Sequence, residues 1–418
     1  MFATDDLHSR GIAQIANSKE VLPVNSTESL STTKSSGIFI SPSIALELSG
    51  SIGLCLIIWI ICGFISLLGA LAFAELSVVV PRSGAEYAYL LEAYGKLHKF
   101  WGPLPAFVSS WLHVFILSPS SSAVIIMTFS EYICQPFAPY MTGLGDYDQE
   151  MVKKIIAILG LGLLTYINLT SVKLYVRTQN VFTISKVIVC LVVIIGGLVE
   201  LTMGNTTNLT NIFEGSTTNP KNLALAFYGC LWSYGGWSAI TIVTEEVKNP
   251  AVNIPRSIIT ALPLVTCIYL MMNLAYMTVL TIPEIISAPA VAVLFGEHMH
   301  AVMKFIIPLG VAISTFGCAL SGQFTITRLC YVASTEGHMM EAFSYIHVRR
   351  LTPVPAVILQ VPLIMPIVTI LVALFLCLVP IITDPSPLYF IALFLIVLGF
   401  ILYVTLVYYK FRPTFMGK

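Results

Sequence analysis

Leu231-Trp-Ser-Tyr-Gly-Gly-Trp-Ser-Ala-Ile-Thr-Ile-Val-Thr-Glu-Glu-Val-Lys-Asn-Pro250 lies in an apolar segment that begins near Leu223, and its reading decides the fold. The length and apolarity of that segment make it a membrane span. Its middle carries Gly235 and Gly236 between aromatic residues, and its end carries Glu245 and Glu246. Glycine loses the most freedom on being held helical, so a glycine pair is where a helix unwinds most readily. Unwound backbone is tolerated at membrane depth only where it is buried in protein or lines a wet cavity. There its freed carbonyls can coordinate a cation such as a substrate ammonium, and a half-helix N-terminus can face an anion. A kink or a close helix contact is the other reading of the same pair.

Composition sets the class. Hydrophobic residues make up 57% of the 418 and charged residues 10%, against about 25% charged in soluble domains. Mean hydropathy is +0.88. Such a chain is an all-α polytopic membrane protein, and its net charge of zero excludes a nucleic-acid footprint. The start, Met1-Phe-Ala-Thr-Asp-Asp6, has no apolar h-region, so no cleavable signal peptide is expected. The nine cysteines lie in or beside apolar runs without CxxC spacing, which reads as small core residues rather than metal ligands or a disulfide framework. No HExxH pair, GxSxG or embedded His/Asp cluster points to an enzyme, a metal or a cofactor.

Residues 1–35 are polar and rich in Ser, Thr and Asn, and are expected to be a disordered or surface tail. After Ser35-Ser-Gly-Ile-Phe-Ile-Ser-Pro42 an apolar stretch runs to Leu48. At 1.5 Å per residue it covers about half of a ~30 Å hydrocarbon core. This is half a helix, whose Ser-Ser-Gly start has free N–H groups able to hold a carboxylate, or is simply a capped loop. Full spans are expected at about 51–76, 103–133, 152–171, 181–202, 223–247, 257–280, 302–328, 355–382 and 388–409, with an amphipathic interfacial stretch over 86–99.

Alternating the loops puts thirteen Lys and Arg on one side, Arg82, Lys173 and Arg349 among them, and four on the other: Lys153, Lys154, Lys221 and Lys304. The positive-inside rule makes the first side, and the C-terminus, cytoplasmic. The sequons at Asn205 and Asn208 then face outward, and that at Asn168 sits at an inner helix end. Lys186, in Thr183-Ile-Ser-Lys-Val, is the unpaired charge deepest within a span. It reads either as a functional cation or as a snorkelling one, about a turn from the inner end. Glu75 and Glu245 lie nearer the inner boundary, and His113 reads as a packed helix histidine rather than a proton relay.

Several stretches together carry a resemblance: Ser36-Gly-Ile-Phe-Ile-Ser-Pro42, Gly69-Ala-Leu-Ala-Phe-Ala-Glu-Leu76, Ser83-Gly-Ala-Glu-Tyr-Ala-Tyr89, Ser233-Tyr-Gly-Gly-Trp237, Thr244-Glu-Glu-Val-Lys-Asn-Pro250, Ser314-Thr-Phe-Gly317, Glu336-Gly-His338 and Thr352-Pro-Val-Pro355. In this order they resemble the light chains of heteromeric amino-acid transporters, the L-type branch of the amino acid–polyamine–organocation superfamily. The resemblance implies an inverted-repeat transporter fold with broken first and sixth helices and sodium-independent exchange across the plasma membrane. It implies an amino-acid carboxylate on the backbone N–H groups at Ser36, Gly37 and Ile38, and an ammonium on carbonyls around Trp232, Ser233 and Gly235. Trp232 would be the aromatic gate, and Lys186 would replace the sodium ion used by more distant relatives. Gly235 after Tyr234, in place of an acidic residue, implies neutral L-amino acids as substrates.

The departures are equally specific. Thr32-Thr-Lys-Ser-Ser36 stands where the family has its first half-helix, and after Pro355 the chain passes into the last two helices, so about two late helices are absent. Tyr140-Met141 stands where the family places the cysteine that binds a glycoprotein heavy chain, so such a partner is expected to be non-covalent. The expected division is a tail (1–35), a first repeat (36–202), an extracellular loop (203–222), a truncated second repeat (223–382) and a last span with a cytoplasmic tail (383–418). Two functions follow: an exchanger for neutral amino acids, or a truncated relative that does not transport and only binds partner subunits.

Overall fold

The computed structural model describes residues 35–359, apart from 40, 142, 144, 205, 206, 289, 300–302 and 347–351. The expected span at 355–382, apart from its start in the helix Val354–Leu359, that at 388–409 and nearly all of the polar tail lie outside the described residues. Within them, the regular elements are all helices. Six are long and apolar enough to cross a membrane: Ile52–Val79, Leu104–Phe137, Asp146–Thr170, Val172–Thr202, Pro250–Val279 and Met303–Thr335. The chain is therefore a multi-pass membrane protein, as its composition requires.

Local sequence explains where these helices begin. Ser51 caps Ile52–Val79 by accepting the Leu54 N–H, and Ser171 does the same for Val172–Thr202 through Lys173. Pro220 opens the Pro220–Tyr234 helix behind Asn219, whose side chain accepts the Lys221 N–H at 3.0 Å. Met303–Thr335 is the axis of the bundle: 72% of its most apolar window is buried, against 22% for Leu104–Phe137. It packs against Ser118–Cys134 and Val172–Thr202, while Ile52–Val79 packs on Pro250–Val279. Among the described residues, apolar side chains such as Ile60, Phe64 and Leu68 are left outward, a surface suited to lipid.

A buried amide clamp ties two of the long helices. Asn168 donates to Gln323 Oε1 at 2.7 Å, and Gln323 Nε2 donates to Thr165 Oγ1 at 3.1 Å. Asn168 is only 3% exposed, so its sequon is shut inside the bundle.

Loops close both ends. The loop leading into Pro220–Tyr234 is stitched to the corner between Ser41–Ser49 and Ile52–Val79. Thr217 N–H donates to Ser49 O at 2.9 Å, Gly53 N–H to Ile212 O at 2.7 Å, and the Ser51 and Ser216 hydroxyls meet at 2.7 Å. At the opposite end the loop after Val79 reaches the stretch 242–245. Ser83 N–H donates to Glu245 Oε1 at 3.3 Å, Glu245 N–H donates to Ser83 Oγ at 3.1 Å, and Gly84 N–H donates to Ile242 O at 2.9 Å.

Candidate functional site

The segment expected as one span over 223–247 is interrupted at its glycines. The helix Pro220–Tyr234 ends when the Gly235 N–H turns back to Trp232 O at 3.1 Å, with ψ at 164°. Gly236 sits at φ 95°, in the left-handed region that a residue without Cβ enters without strain. The chain then resumes as Ala239–Ile242. The half-helix expected near Leu48 is Ser41–Ser49, preceded by a tight 3-10 turn over Ser35–Phe39.

The two irregular stretches meet. Gly37 is buried so close to Ser233 that a β-carbon on it would lie 2.6 Å from Ser233 Cα. Ser233 Oγ donates to Ser41 Oγ at 2.7 Å, both buried, which joins the end of one half-helix to the start of the other. Ile38 is fully buried beneath them, and Trp232 and Gly235 are partly buried at the rim. Five of the expected site residues, Gly37, Ile38, Trp232, Ser233 and Gly235, thus share one junction, with Ser36 in the backbone turn beside them.

Stopping a helix frees its last carbonyls. Ser233 O would take the Trp237 N–H in a continuous helix; here Tyr269 Oη donates to it at 3.1 Å. Phe39 O likewise accepts from Tyr132 Oη at 3.2 Å. Both carbonyls thus accept from a buried tyrosine hydroxyl. The helix Ser41–Ser49 begins at the buried Ser41 and Pro42, so the positive end of its dipole lies at the same junction. The junction therefore gathers two irregular backbone stretches, a pair of serine hydroxyls and two tyrosine hydroxyls. Residue reading missed Ser41, Tyr132 and Tyr269. Ser41 stood in a stretch already read as a half-helix start, whereas the tyrosines look like any other core aromatics.

Lys186 is 5% exposed, so it is buried within the bundle and does not reach for the surface. No hydrogen bond joins it to either break among the described residues. Its helix packs against Pro250–Val279 and Met303–Thr335, the two helices that flank the Ser35–Phe39 turn. His113 lies elsewhere, at the start of a π-helical turn over His113–Leu117, with Nε2 3.1 Å from Glu86 Oε1. Glu75 and Glu245 are exposed.

Residues 27–415 match the family model described as amino acid permease. The chain belongs to the amino acid permease family. This permease is 40% identical over 426 residues to the b(0,+)-type amino acid transporter 1 of Mus musculus, covering 90% of this chain and 85% of that one. It is 39% identical over 336 residues to the cystine/glutamate transporter of Homo sapiens (80% of this chain, 65% of that one). It is 40% identical over 326 residues to the large neutral amino acids transporter small subunit 2 of Homo sapiens (77% and 59%). These are transporters and not enzymes, and the permease is an amino-acid transporter of the group the sequence resembled. An alignment of 426 positions that uses 90% of 418 residues leaves about 50 positions without a residue in this permease, about two spans' worth.

Proposed function

We propose that this permease exchanges neutral L-amino acids across the plasma membrane, independently of sodium, by alternating access, with its C-terminus in the cytoplasm. The junction of Gly37 with Ser233 carries the reading: the tight turn Ser35–Phe39 and the interrupted end of Pro220–Tyr234 meet at one point. The carboxylate sits on the N–H groups of Ser36, Gly37 and Ile38, the ammonium on carbonyls near Trp232, Ser233 and Gly235, and Trp232 closes over the side chain. Lys186, as a fixed cation buried among the helices around the breaks, takes the role of a coupling ion. Neutral substrates fit because Gly235 places no carboxylate where a cationic side chain would end. A glycoprotein heavy chain is the expected partner, held without a disulfide. The 36–202 and 223–382 segments act as the two repeats, the second one truncated.

Uptake of labelled leucine into proteoliposomes holding the purified chain tests this, with and without internal leucine and without sodium. Uptake that requires internal leucine is the expected result. No uptake by folded protein would favour the non-transporting, partner-binding reading instead.

A further inference from the structure

Three motifs that the substrate site does not use converge at one end of the bundle: Arg82-Ser-Gly84, Thr244-Glu-Glu246 and Glu336-Gly-His338. Ser83 and Glu245 clasp each other reciprocally, backbone to side chain in both directions, across 162 residues of sequence. The neighbouring Arg82 pairs with Glu336, 254 residues on. Just past the loop, in the first turn of the helix Glu86–Tyr94, Tyr87 Oη lies 2.8 Å from His338 Nδ1 in a buried bond. One short loop thus fastens the end of the broken helix to the end of the central Met303–Thr335 helix.

We infer that this loop is a reversible latch on the cytoplasmic exit of the permease, with Ser83–Glu245 and Arg82–Glu336 as its opening ties and Tyr87–His338 as its anchor. The opening ties are built to be broken. The Ser83–Glu245 bonds are exposed, and the Arg82 and Glu336 side chains are 45% and 32% exposed. Exposed pairs of this kind are individually weak and exchange readily with water. Tyr87 is buried and keeps the loop docked to the central helix when the other ties part. Glu245 is nine residues beyond Gly236, where the broken helix has its left-handed turn. A swing of 239–246 about Gly236 therefore opens both ties to Glu245, together with the Gly84–Ile242 backbone bond, and leaves the outer half, Pro220–Tyr234, in place. Gly84 at φ 114° and Ala85 at φ 47° hold the loop in conformations that side chains rarely adopt, and release of the latch relaxes Ala85.

The inference rests on the alternating-access reading, so its test measures the two faces separately. In proteoliposomes of known orientation, Glu245→Gln and, independently, Glu336→Gln shift the population toward the inward-open state. Apparent affinity scales with the population of the competent state. The internal KM for leucine is expected to fall about fivefold, while the external KM rises. A double charge swap, Arg82→Glu with Glu336→Arg, returns both values toward the wild type. KM values that stay fixed, or that move in the same direction at both faces, overturn the latch.

Hydrogen–deuterium exchange on the purified full chain separates this result from failure of transport itself. In Glu245→Gln, amides in 81–89 are expected to exchange faster, and those in 332–340 to follow partway. If wild-type protein carries no leucine, the proposed exchange fails, but concerted loosening still supports the latch. Loosening confined to 242–247 overturns it.

Discussion

Gly37 and Ser233, 196 positions apart in sequence, touch so closely that no side chain fits between them. The contact joins the Ser35–Phe39 turn to the end of Pro220–Tyr234 and sets the width of the proposed substrate site.

Gly37→Ala is expected to force the breaks apart. The added methyl would lie 2.6 Å from Ser233 Cα, and overpacking of that kind costs about 1–3 kcal/mol. Leucine exchange should be lost, with a modest fall in thermal midpoint in detergent. Unchanged exchange would remove Gly37 from the site.

The adjacent glycines at the other break should behave differently. Gly235 has φ −58°, which any residue adopts, whereas Gly236 has φ 95°. Gly236→Ala should destabilise by about 1–2 kcal/mol and Gly235→Ala by less. Parallel melting curves of the two variants check the order. Replacing both glycines by Leu should abolish exchange, and surviving exchange would sink the site.

Lys186→Met tests the buried cation. Removing an unpaired charge from the bundle relieves its desolvation, so the melting midpoint should hold or rise. Exchange, by contrast, should drop below about a tenth of wild type. A variant that keeps exchange while losing stability would make Lys186 structural.

His338 gives a pH dependence. Its burial beside Tyr87 pushes the imidazole pKa down to about 4, with the Glu336 carboxylate opposing the shift. The unfolded chain titrates near ~6.5. Folded protein thus binds fewer protons than unfolded protein between those values, and its stability falls as pH drops from about 6.5 toward 4. Melting curves at pH 7.5 and 4.5 should separate for the wild type, and the gap should narrow in His338→Asn.

Much of the architecture was legible because bilayers restrict the alphabet of structure. Apolar runs of span length became helices at 52–79, 146–170 and 172–202, and Gly235-Gly236 marked the interruption that formed. The span edges were harder: Val172–Thr202 begins nine residues before the expected 181, because polar Lys173, Arg177 and Gln179 extend it beyond its apolar stretch. Pro255 and Pro263 sit inside Pro250–Val279 without ending it. Tyr132 and Tyr269 could not be singled out, since an aromatic residue in an apolar run carries no sign that its hydroxyl will find a freed carbonyl. The pairing of His113 with Glu86 was equally hidden, since only the fold of the intervening loop brings them to 3.1 Å.

The stitched loop at the other end has a mechanical consequence. Ile212 and Thr217 hold the backbone at Gly53 and Ser49, and the same loop runs directly into Pro220–Tyr234. Residues 211–219 therefore work as a handle welded to both half-helices at once. Any displacement of this segment is thus transmitted to Ser41–Ser49 and Pro220–Tyr234 together.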